Sequence, residues 1–63
     1  MISREEFIEY WSSRIEDAYS GIEDYTHGVA CDAWGFYKNR PEKGELAAVE
    51  KALRLFAVQK GWL

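Results

Sequence analysis

A chain of 63 residues is one domain at most, and its single cysteine excludes an intramolecular disulfide framework. One cysteine and one histidine also argue against a closed structural zinc site within one chain. The net charge of −3 hides an asymmetry: residues 1–37 carry eight acids against two bases, and residues 38–63 six bases against three acids.

A monomer this small buries only about 60% of the surface its unfolded chain exposes. Three Trp, four Tyr and three Phe therefore call for a partner to complete their cover, and a homodimer is expected. The charge asymmetry suits an antiparallel return of the second segment onto the first, within a chain or between chains, with charge choosing orientation more than adding stability. No apolar run approaches the roughly 20 residues needed to span a bilayer. The first nine residues lack the basic start and apolar centre of a signal peptide. A cytoplasmic protein without membrane contact is expected, and the free thiol fits that compartment.

Ser3-Arg4-Glu5-Glu6 has the form of a capping box, with Glu6 placed to reach back to the Ser3 amide. Ile2 and Phe7 stand at the hydrophobic-staple positions, and Glu5 and Glu6 favour the positive end of a helix. From there Ile8, Ile15, Ile22, Val29 and Phe36 recur every seven residues, with Trp11, Ala18 and Tyr25 three residues after the first three rungs. This heptad seam predicts one helix from Ser3 to about Lys38 packed along another helix. Such a helix is ~50 Å long at 1.5 Å per residue, too long for a compact monomer.

Glu9, Glu16 and Glu23 repeat every seven residues, flanked by Asp17 and Asp24. The ordinary reading is a solvated face; the functional one is a docking surface for a basic patch on a partner protein. A net charge of −3 is too small to favour mimicry of nucleic-acid phosphates. Gly21, Gly28 and Gly35 share the same spacing. In a continuous helix they form a small-residue stripe open to another backbone; the rival reading ends or kinks the helix at Ser20-Gly21.

Glu23, His27 and Cys31 are spaced four apart and would share a helix face, a geometry that across a dimer suits a metal. Packing or surface exposure is the plainer account of His27, and a small buried apolar role that of Cys31. Asp32 falls where the seam wants an apolar residue and Ala33 takes over, a phase shift like a stutter. Ala33, Trp34, Phe36 and Tyr37 form an aromatic block, read as core or dimer interface.

Lys38-Asn39-Arg40-Pro41 is the clear break. A second helix is expected from Pro41 to about Lys60, with Glu42 and Glu45 at its start. Its stripe is Leu46, Val49, Leu53 and Phe56, widened by Ala52, Leu55 and Ala57. Glu50 and Arg54 make a favourable pair one turn apart. Gly61 is a left-handed stop after which Trp62 folds back on the last turn.

No phosphate-binding Gly loop, HExxH, CxxC or EF-hand loop is present in the sequence, and no catalytic role or cofactor is assigned. Met1-Ile2-Ser3-Arg4-Glu5-Glu6-Phe7 and Ala33-Trp34-Gly35-Phe36-Tyr37-Lys38 resemble small early proteins of temperate lambdoid phages, encoded between the exonuclease and excisionase genes. The resemblance implies a protein made early in infection and dispensable for lytic growth. It also implies an influence on host physiology and the lysis–lysogeny choice through host partners. It defines no functional residues.

The expectation is an all-α, single-domain helical hairpin interlocked as a homodimeric bundle. Its core or dimer residues are Ile8, Trp11, Ile15, Ile22, Tyr25, Val29, Trp34, Phe36, Leu46, Val49, Leu53 and Phe56. The expected function is non-enzymatic binding of a host protein through Glu9, Glu16, Asp17, Glu23 and Asp24. A nucleic-acid-associated dimer using Lys38, Arg40, Lys43 and Arg54 is the alternative, although the acidic half disfavours nucleic acid. A metal-binding dimer centred on His27 comes third.

Overall fold

The first helix, α1 (Arg4–Ala18), starts where the capping residues place it. In the computed structural model, which describes residues 2–62, the Glu6 N–H donates to Ser3 Oγ at 3.2 Å. The Ser3 hydroxyl in turn donates to the Glu6 carboxylate at 2.9 Å. Glu6 thus closes the box on the Ser3 hydroxyl instead of its amide. Ile2, at one of the staple positions, is partly buried against the core.

The helix does not continue to Lys38. It ends at Ala18, with Tyr19 in an extended conformation, and a second helix, α2, occupies Thr26–Asn39. Gly21 has φ +89°, which no right-handed helix contains and which glycine adopts at least cost. The Glu23 carboxylate accepts the Gly21 N–H at 3.0 Å, and Tyr25 N–H donates to the Ile22 carbonyl at 2.8 Å. These bonds satisfy a tight turn, so the rival reading of Ser20-Gly21 is the one realised. The heptad spacing survives because Ile22, on the turn itself, points inward and is buried with Ile8, Ile15 and Val29. A regular period therefore spans two helices and their connection.

A 3₁₀ turn at Pro41–Lys43 and a third helix, α3 (Glu45–Gln59), complete the chain. Helix α3 starts four residues later than the sequence suggested, because Gly44 at φ +87° separates it from the turn begun by Pro41. Its end follows expectation. Gly61 has φ +77°, Trp62 N–H reaches the Ala57 carbonyl at 2.8 Å and Gly61 N–H the Val58 carbonyl at 3.0 Å, a Schellman pair. The Trp62 ring stands edge-on to Phe56 at 5.5 Å.

The described residues are thus all-α, with three helices in place of two. Helix α2 is central: α1 and α3 both pack on it and make little direct contact with each other. The buried face of α2 is built from Thr26, Val29, Ala30 and Ala33. These small side chains let two helices approach one. The rest of the core comes from Phe7, Ile8, Ile15, Ile22, Ala48, Val49 and Ala52.

Phe7 is fully buried and is the hub of an aromatic cluster joining the start of α1 to the end of α2. Its ring lies 5.3 Å from Trp34, 5.4 Å from Tyr37 and 6.3 Å from Trp11. Sequence periodicity assigned Phe7 only to the staple. Trp11, Trp34, Phe36, Leu53 and Phe56 are half-buried against the core.

Two of the residues expected in the core or the dimer interface stand outside the core of the single chain. Tyr25 is 44% and Leu46 60% exposed. Tyr25 belongs to the turn before α2, with its ring 5.2 Å from Phe56 and covered by Lys60 Nζ at 4.2 Å. Leu46 falls to one side of the α3 stripe, in line with Leu53 and Ala57, because Ala48, Val49 and Ala52 make the contact with α2.

The small-residue stripe required a continuous helix, and the turn at Gly21 removes it. A Cβ placed at Gly21, Gly28 or Gly35 meets nothing within 4 Å among the described residues. Within the single chain the two charged halves do not pair: the one ion pair among the described residues is local, Arg40–Glu42 at 3.7 Å.

Candidate functional site

Packing two helices on a third leaves a trough between the outer pair. Its walls are Trp11, Ile15 and Ala18 from α1 and Leu46, Val49 and Leu53 from α3. At its far end it opens into a wider cleft of about 850 Å³ reaching Ile22, Phe56 and Trp62, with Tyr19 on the shared rim. One hydrogen bond spans the near end: Trp11 Nε1–H donates to Glu45 Oε1 at 2.8 Å. Tyr19, Leu46 and Trp62 each expose half or more of their surface here. Charges of both signs edge it: Arg14, Glu50 and Arg54.

The five acidic residues read as a docking stripe are all exposed. They do not form one helix face. Glu9, Glu16 and Asp17 lie on α1, while Glu23 and Asp24 lie in the connection to α2. Glu23 is committed to that turn. Hydrogen bonds from the Gly21 N–H, and then from its own N–H, hold its carboxyl below the ordinary value of 4.5.

The spacing of Glu23, His27 and Cys31 loses its meaning because α2 begins at Thr26, after Glu23. His27 lies beside Arg4, Glu5, Glu9 and Ser12 of α1. Cys31 is half-buried, with Arg4 Nη2 at 3.9 Å from its sulfur. Among the described residues no three His, Cys, Asp or Glu side chains converge as metal ligands do.

The four bases of the nucleic-acid reading are distributed. Arg40 and Lys43 line a cleft at the α2–α3 corner, Arg54 belongs to the cleft beside Trp62, and Lys38 lines neither. Sequence reasoning missed the trough because it assumed two helices. Only the three-helix arrangement puts Trp11 opposite Leu46, thirty-five residues away. The α3 pattern held the available signal: Leu46, Leu53 and Ala57 run beside its buried stripe, a second apolar line at helical spacing.

No helix among the described residues is long and apolar enough to cross a membrane. No protein-family model, curated protein or solved structure matches the chain.

Proposed function

We propose that this protein acts by binding other proteins and not by catalysis, and that a second copy of the chain fills the α1–α3 trough. The trough carries the reading: two adjoining, largely apolar clefts that share Ala18, Tyr19 and Leu53, with exposed Tyr19, Leu46 and Trp62 along them. A two-fold interface must complement itself, and the mixed Arg14, Glu50 and Arg54 edge suits self-pairing better than pairing with a strongly charged partner.

The acidic residues of α1 and its following turn stay outside this interface and are available to a host protein with a basic patch. The resemblance to small lambdoid early proteins points the same way, toward a modulator of host physiology or of the lysis–lysogeny choice. The nucleic-acid reading is less well served, because its bases do not share one cleft.

The test is the mass in solution. Light scattering at micromolar concentration is expected to give twice 7.3 kDa for the wild type. Leu46→Glu is expected to give the monomer with unchanged helical circular dichroism, since Leu46 is 60% exposed in the single chain. A wild type that remains at 7.3 kDa would refute the dimer. A Leu46→Glu dimer would place the interface elsewhere.

A further inference from the structure

The corner where α2, the 3₁₀ turn and the start of α3 meet encloses a separate cleft of about 440 Å³. Phe36, Asn39, Arg40, Lys43, Ala47 and Lys51 surround it, with Gly44 at the turn. Three of the eight Lys and Arg residues of an acidic chain thus converge on one concavity that no carboxylate lines. Glu42 pairs with Arg40 at 3.7 Å from outside. Lys43 and Lys51 have no ion-pair partner among the described residues. Like charges gathered around one small space repel, and a bound anion relieves that repulsion.

Two further features fit an anion with an apolar part. Helix α3 begins at Gly44 with no side-chain cap, so its first N–H groups are open to an acceptor next to the cations. Phe36, Ala47 and Ala48 provide an apolar floor, and Lys51 Nζ stands 4.6 Å from the Phe36 ring centre, where it can meet a phosphate without leaving the ring.

We propose that this corner binds a small phosphate monoester, with Arg40, Lys43 and Lys51 holding the phosphate and the Phe36 floor its organic part. A polymer of phosphates fits less well. Lys38 does not line the cleft, Arg54 lines another, and the first 37 residues are strongly acidic, so the further phosphates of a strand gain less here than the first. The site is independent of the trough and of dimerisation.

Backbone amide shifts of the full chain, recorded during addition of phenyl phosphate, test this. Shifts confined to Phe36, Lys43, Gly44, Ala47 and Lys51 are expected to saturate with a Kd of about 1 mM or tighter. Inorganic phosphate is expected to move the same amides more weakly. The double variant Lys43→Gln/Lys51→Gln is expected to lose about tenfold in affinity or more, since each cation removed takes a charge-assisted bond; Lys38→Gln is expected to bind as the wild type does. All three lysines are exposed, so these variants keep the fold. Shifts that never saturate, or an equal loss in Lys38→Gln, would overturn the site. Equal binding of neutral benzyl alcohol would overturn the role of the cations. A single-stranded oligonucleotide or phosphatidic acid vesicles displacing phenyl phosphate at lower phosphate concentration would replace the small ligand with a polyanion or a membrane.

Discussion

Glu23 shows how one residue reads differently in sequence and in structure. By spacing it is the third rung of an acidic stripe; by contact it is the acceptor that holds the turn at Gly21. The hydrogen bonds from Gly21 and from its own amide favour the ionised form. Because the folded pKa is lowered, the stabilisation is present above the ordinary value of 4.5 and is lost as pH falls through the folded value. The Gly21 amide shift is therefore expected to titrate with a midpoint below 4.5, and Glu23→Gln to abolish that titration. A midpoint at or above the ordinary value would mean that the bond does not persist in solution.

At the scale of the element, three of the boundaries were legible and the helix number was not. The Ser3 cap, the Pro41 break and the Gly61 stop each rest on a local rule that needs no knowledge of distant contacts. The turn at Ser20–Tyr25 rests on a competition. Apolar period argued for continuity and glycine against it, and the period was misleading because Ile22 is buried from a turn as well as it would be from a helix. Phe7 was missed for the converse reason: its partners Trp34 and Tyr37 lie on another helix, so nothing near it in sequence marks it as the hub. The glycines now separate by role. Gly28 and Gly35 sit in α2 with open space where a Cβ would stand. Gly28→Ala and Gly35→Ala are each expected to stabilise the fold by about 0.4–1 kcal/mol in denaturant melts. Gly21→Ala is expected to destabilise it by about 1 kcal/mol or more, since alanine is strained at positive φ. Stabilisation by Gly21→Ala would restore the continuous helix.

At the scale of the molecule, the length of the presumed helix no longer argues for a partner. The chain folds on itself to extents of 32 × 20 × 15 Å, and the case for a second copy moves from length to the quality of the core. Among the described residues, four of the ten buried apolar ones are alanines, and Phe7 is the one large side chain that is fully buried. Alanine buries little area, and apolar burial stabilises by about 25 cal/mol per Å². The half-buried Trp11, Leu53 and Phe56 thus hold stabilisation that a single chain leaves unused, and a chain of this size has little to spare. A second copy in the trough would recover it and link folding to assembly. The wild-type melting temperature is then expected to rise with protein concentration, as it does for any fold stabilised by a partner. Leu46→Glu is expected to melt lower than the wild type, at a temperature independent of concentration. A wild-type melting point that stays constant over about a hundredfold range of concentration, where mass action predicts a shift of roughly 2.7 kcal/mol per dimer, or about 1.4 kcal/mol per chain, would show that the three helices suffice alone. The trough would then be a surface kept open for a different protein.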